Sequence, residues 1–234
     1  MKTPFFTSLI FVASLLIARA DLTLVQKIEG AGSVTEMTIK LKGDKMRMEA
    51  SPEVTTIIDS KSGEMLTLMN TQKKFLRISG DKAKAFVEMA SKYSGDPATA
   101  AAEKPKLVST GKRETINGFQ TEEYACETPA FKASYWIALT YPDSATILKQ
   151  LQAMTPSAWR SVVKGMPDYR DFPGLPLRTR MITDGKEITS TIVSVKQEPL
   201  AEAEFSPSKD FQEMKTPSIE GIMGGKETSP APKP

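Results

Sequence analysis

Histidine is absent from the chain and cysteine occurs once, at Cys126. Without an imidazole, Ser-His-Asp and Cys-His catalysis, His-ligated zinc and imidazole acid–base chemistry are all excluded. A single thiol makes neither a thiolate zinc site nor an internal disulfide, so an exported domain of this kind must stand on its own core. Charge of one sign is scarce too. The formal net charge of +3 includes Lys2 and Arg19, and without them 29 basic residues face 28 acidic ones. General nucleic-acid binding rests on a basic excess that neutralises phosphates, and this chain has none.

The longest apolar run, residues 5–17, is shorter than the ~20 residues a membrane-spanning helix needs. It follows Lys2 and precedes Ala18-Arg19-Ala20. Residues 1–20 therefore read as a secretory signal peptide cut before Asp21, with Arg19 beside the cut leaving a retained anchor as the alternative. No cysteine follows the cut, so lipid attachment there is excluded. The chain that remains has no stable membrane span and belongs in the periplasm or outside the cell.

What is present is strand alternation. Met37, Ile39 and Leu41 alternate with Glu36, Thr38, Lys40 and Lys42; after Gly43-Asp44, Met46, Met48 and Ala50 alternate with Lys45, Arg47 and Glu49. Folding at that turn sets Leu41 opposite Met46, Ile39 opposite Met48 and Met37 opposite Ala50 on one dry face. Lys40, Lys42, Lys45 and Arg47 fall on the other, read as a wet face. Runs at 54–59, 64–70 and 74–79 complete a meander, and 22–28 supplies an opening strand.

Asp81 is expected to cap a helix in which Ala83, Phe86, Val87 and Ala90 recur at helical spacing. Residues 107–128 form a hairpin on Asn117-Gly118, the strongest short hairpin signal. Its register pairs Ile116 with Phe119, Arg113 with Glu122 and Lys112 with Glu123. A strand at 131–139 precedes two helices, striped by Ile147, Leu148, Leu151 and Met154, then by Ala158, Trp159, Val162, Val163 and Met166. A last hairpin on Asp184-Gly185 sets Met181 opposite Ile188, with Arg178 and Arg180 facing the other way. After Pro199 the chain reads as irregular, anchored by Phe205 and Phe211. Residues 215–234, rich in Pro, Gly and Lys, are expected to be disordered.

The expected fold is thus α+β and mainly antiparallel β: a curved, incomplete barrel of about ten strands over residues 21–214, with helices on the concave face. A sheet this long curls, and two or three short helices leave an apolar hollow within it. A hollow of that kind is a ligand site by default. Met37, Ile39, Met46, Met48, Leu66, Leu68, Phe86, Leu151, Trp159 and Met181 are the expected lining. Methionine at such positions suits either core filling or a surface that accepts varied cargo. Tyr135, Trp136 and Trp159 read as core anchors. Glu122, Glu123 and Glu127 read as structural carboxylates, and Cys126 as a half-buried apolar residue.

The ordered set Gly43-Asp44-Lys45-Met46-Arg47-Met48-Glu49, Ile57-Ile58-Asp59, Lys74-Phe75-Leu76, Ile116-Asn117-Gly118-Phe119, Gly174-Leu175-Pro176-Leu177-Arg178-Thr179 and Phe205-Ser206-Pro207 resembles the LolA/LolB superfamily of periplasmic lipoprotein carriers, in an uncharacterised bacterial branch. The resemblance implies an incomplete barrel with a helical lid and a cavity for acyl chains. The expected role is a non-catalytic, cofactor-free binding protein for a lipid or acylated protein. The alternative is an envelope interaction or sensor module that uses the same sheet without lipid, with another envelope protein as partner. Amino-terminal sequencing of protein from the envelope fraction should begin at Asp21; a start at Met1 would establish the retained anchor.

Overall fold

The computed structural model describes residues 21–30, 32–85, 105–128, 132–154, 167–183 and 185–215. The expected second helix and the carboxy-terminal tail beyond 215 lie outside them. The described strands are β1 (Leu22–Gly30), β2 (Ser33–Lys42), β3 (Lys45–Glu49), β4 (Val54–Asp59), β5 (Met65–Met69), β6 (Lys74–Ile78), β7 (Val108–Ile116), β8 (Phe119–Glu127), β9 (Lys132–Ala138), β10 (Leu175–Thr183), β11 (Lys186–Gln197) and β12 (Gln212–Met214). Twelve strands form one sheet, in the order β12-β6-β5-β4-β3-β2-β1-β11-β10-β9-β8-β7. All neighbours are antiparallel except β12, which lies parallel to β6.

The sheet is curved and does not close, since β12 and β7 stand at opposite ends of the order. Curvature brings distant strands together. The Asn117 side-chain amide donates to the Ile192 carbonyl of β11, and Arg178 of β10 meets Glu114 of β7 at 2.8 Å. Asn117 and Gly118 have φ of 50° and 82°, the paired positive values that a two-residue hairpin turn requires.

The expected registers hold. Leu41 pairs with Met46, Ile39 with Met48, Arg113 with Glu122, Ile116 with Phe119 and Met181 with Ile188. Two details differ. The β2–β3 ladder ends at Thr38–Glu49, so Met37 pairs instead with Gln26 of β1. A bulge between Ser109 and Arg113 removes Lys112 from the β7–β8 ladder, yet its ammonium still reaches Glu123 at 3.3 Å.

Helix α1 is described over 80–85, beginning one residue before the expected Asp81 cap. The Ser79 hydroxyl accepts from the Lys82 N–H, and the Ser79 carbonyl from Ala83. Helix α2 (Ser144–Ala153) buries Ile147 and Leu148 into the main core. There they meet Leu22, Leu24 and Leu41 from β1 and β2, and Cys126, Tyr135, Ile137, Leu175 and Leu177 from β8–β10. We call this side of the sheet its inner face. Cys126, expected half-buried, is 1% exposed, because its strand face is covered rather than wet.

Gly174 makes the bend into β10. A Cβ there would stand 2.4 Å from the Ala138 carbonyl oxygen, so Gly174→Ala must push backbone apart and is expected to cost about 1–3 kcal/mol in urea melts. Leu24, fully buried at the sheet centre, is expected to lose about 2–5 kcal/mol as Leu24→Ala.

Glu123 is 5% exposed. Burial pushes its carboxyl up, but hydrogen bonds from Thr110, Ser134 and Lys112 more than offset this, and its pKa lies below the ordinary 4.5. The stability it contributes is therefore present above pH 4.5 and lost as pH falls through the lower folded value. In urea melts Glu123→Gln should cost about 1 kcal/mol at neutral pH and then lose less than wild type on acidification. Parallel pH profiles would contradict this.

Candidate apolar binding face

Antiparallel partners share a face, so the ladders fix which side each residue of β2–β6 takes. Ile39, Met48, Thr56 and Thr67 form one cross-strand row, and Leu41, Met46, Ile58, Met65 and Ile78 another. Met37, Met69 and Leu76 share their side. This inner face is apolar from β2 to β6. Its closure changes along the sheet: Leu41 is 2% exposed beside α2, whereas Met37, Met46, Met48, Met65, Met69, Leu76 and Ile78 are half-buried. Where α2 meets the β2–β3 turn there is a crevice of about 30 Å³, with Leu41, Lys149 and Met154 in its wall.

The ten expected lining residues divide into three groups. Ile39, Met46, Leu151 and Met181 pack along the margin of the main core, and Met37 and Met48 belong to the same face. Leu66 and Leu68 do not. Their partners are Ile57 and Thr55 on β4 and Arg77 and Phe75 on β6, all on the outer face. There they form a second apolar cluster with Ile57, Phe75 and Phe205, joined by Leu200 and Phe211. They are a buried floor beneath another part of the chain and cannot line an inner hollow. Phe86 and Trp159 lie outside the described residues.

The outer face corrects a further expectation. Lys40, Lys42, Lys45 and Arg47 are half-buried, because the carboxy-terminal segment lies across them. A 3-10 turn, Glu202–Phe205, places the Glu204 carboxylate 2.6 Å from Lys40 and Glu202 3.2 Å from Lys45. Asp21 accepts from both Lys42 and the Leu200 N–H at 2.8 Å. The Lys40 hydrogen bond holds the Glu204 carboxyl below its usual range, and the Asp21 hydrogen bond raises Lys42.

Trp136, expected as a core anchor, is half-buried on the outer face between two guanidinium groups, with Arg178 and Arg180 at 5.6 and 5.7 Å from its ring. Tyr135, its neighbour, is buried in the main core as expected, edge-on to Phe172. Among the described residues no cluster of three or more Asp, Glu or Cys side chains is placed to hold a metal ion. No described helix is long and apolar enough to cross a membrane.

These features define a class: a single unclosed, mainly antiparallel sheet with helix α2 on its inner face and a strap on its outer one. The chain belongs to the family described as a domain of unknown function, DUF4412, whose model matches residues 21–211. No curated protein matches it. Solved structures that align with it include MucB in complex with MucA from Pseudomonas aeruginosa, at 10% identity and TM-score 0.43, covering 85% of this chain and 59% of that one. The lipoprotein LppX from Mycobacterium tuberculosis aligns at 12% identity and TM-score 0.39, covering 76% and 88%. PNGF-II aligns at 13% identity and TM-score 0.39 over 83% of this chain, which spans 31% of that structure's length.

In double-mutant cycles, breaking Lys40–Glu204 is expected to register about 0.5–1 kcal/mol of coupling, as for a half-exposed ion pair, and to weaken in high salt. No coupling would mean that this ion pair does not help to hold the strap.

Proposed function

We propose that the mature chain is a non-catalytic, cofactor-free binding protein of the bacterial cell envelope that holds a lipid or acylated protein on the inner face of β2–β6. The observation that carries this reading is the methionine-rich part of that face. Met46, Met48, Met65 and Met69 share one side with Ile39, Ile58 and Ile78, and the methionines stay half-exposed where a finished core would have sealed them. Unbranched, polarisable thioether side chains adjust to chains of differing shape. Each methylene withdrawn from water contributes about 0.8 kcal/mol, so an acyl chain needs no specific polar contact to be held.

One feature favours the second reading, an envelope interaction module without lipid. Strand β7 ends the sheet, and from Val108 to Thr115 its residues are exposed, leaving an edge at which a partner strand can add.

Native mass spectrometry of the mature protein purified from its own host tests the two. A copurifying lipid, with at least tenfold weaker fluorescent fatty-acid binding in a Met46→Asp, Met48→Asp variant, is the expected result. An empty protein that binds no fatty acid overturns the carrier reading in favour of the interaction module.

A further inference from the structure

The outer face of β2–β6 already holds an occupant, and its chemistry shows what that face accepts. Lys40, Lys42, Lys45 and Arg47 form the cationic part. Ile57, Leu66, Leu68 and Phe75 form a socket in which Phe205 is 4% exposed. The edge of β6 supplies backbone groups. The strap answers each in turn: Glu202 and Glu204 to the cations, the Phe205 ring to the socket, and β12 as a parallel strand on β6. Arg47 also donates to the Glu204 carbonyl at 2.8 Å, fixing backbone as well as carboxylate.

We propose that this groove is a docking site for an extended acidic peptide of a partner protein, carrying two carboxylates just ahead of an aromatic residue, and that residues 199–214 are its resident, displaceable occupant. Three observations support displacement. The added strand pairs over only three residues, Gln212–Met214, a short ladder for an edge. The Lys45–Glu202 ion pair is solvated, with Glu202 70% and Lys45 40% exposed, and such a pair is individually weak. The strands that carry the groove are paired through their own ladders from β2 to β6, so the sheet itself sets the backbone of the groove. Strand addition on an edge with pockets for particular side chains is an established mode of peptide recognition.

Tethering gives the strap an effective concentration on the order of millimolar, so a free peptide competes well only when the strap is loosened. A fluorescent peptide with the sequence of residues 199–214 is the probe, and fluorescence anisotropy with the full mature chain is the readout. Wild type should bind it weakly, and Phe205→Ala at least tenfold more tightly, because the resident occupant is weakened and the socket is intact. Adding Lys40→Glu to that variant should abolish binding, and a peptide with lysine at the positions of Glu202 and Glu204 should not bind. Equal affinity for wild type and Phe205→Ala, or indifference to Lys40→Glu, overturns the proposal. If Phe205→Ala does not fold, Glu202→Gln with Glu204→Gln serves as the loosened chain under the same criteria. A wild-type dimer that exchanges straps in sedimentation would make the occupant a second copy and overturn the foreign-peptide assignment.

Discussion

Everything in this fold depends on one geometric constraint: β4–β6 are apolar on both sides, and the two sides must be covered by different things. Strand side chains alternate, so a residue and its neighbour cannot serve the same layer. On the inner side the rows through Ile39 and Leu41 continue into the main core, where α2 seals them with Ile147 and Leu148. On the outer side Ile57, Leu66, Leu68 and Phe75 cannot remain wet, and the strap covers them with Phe205, Leu200 and Phe211. The four cations beside them are held in place by the same segment. The strap is therefore the second layer of a small core.

This division also keeps the two proposed surfaces separable. The inner face offers shape-tolerant apolar contact with no charge at its centre, which suits a ligand recognised by its hydrocarbon. The outer face offers cations, a socket and a strand edge, which suits a peptide recognised by sequence. The same strands carry both, so a change in one face can reach the other only through the sheet itself.

Registers were legible in the sequence wherever a turn and an alternating pattern agreed. Gly43-Asp44 and Asn117-Gly118 each set their pairings, and the ladders follow them. Alternation gave no direction in β5, where Met65-Leu66-Thr67-Leu68-Met69 is apolar on both sides. Leu66 and Leu68 were accordingly grouped with the methionines when they face away from them. The strap was hidden for another reason. Lys40 and Glu204 stand 164 residues apart, and no local period links such partners. The cationic row looked solvent-facing because charged strand positions usually are. Trp136 was read as a core anchor; it packs against the main core but stays half-buried, with Arg178 and Arg180 near its ring.

The central claim is that the half-exposed methionines of the inner face are a binding surface. Methyl NMR of the mature chain with labelled methionine tests it most directly, by titration with a long-chain fatty acid. The account predicts saturable shifts at Met46, Met48, Met65 and Met69. Unchanged inner-face methyl signals at saturating fatty acid would contradict it.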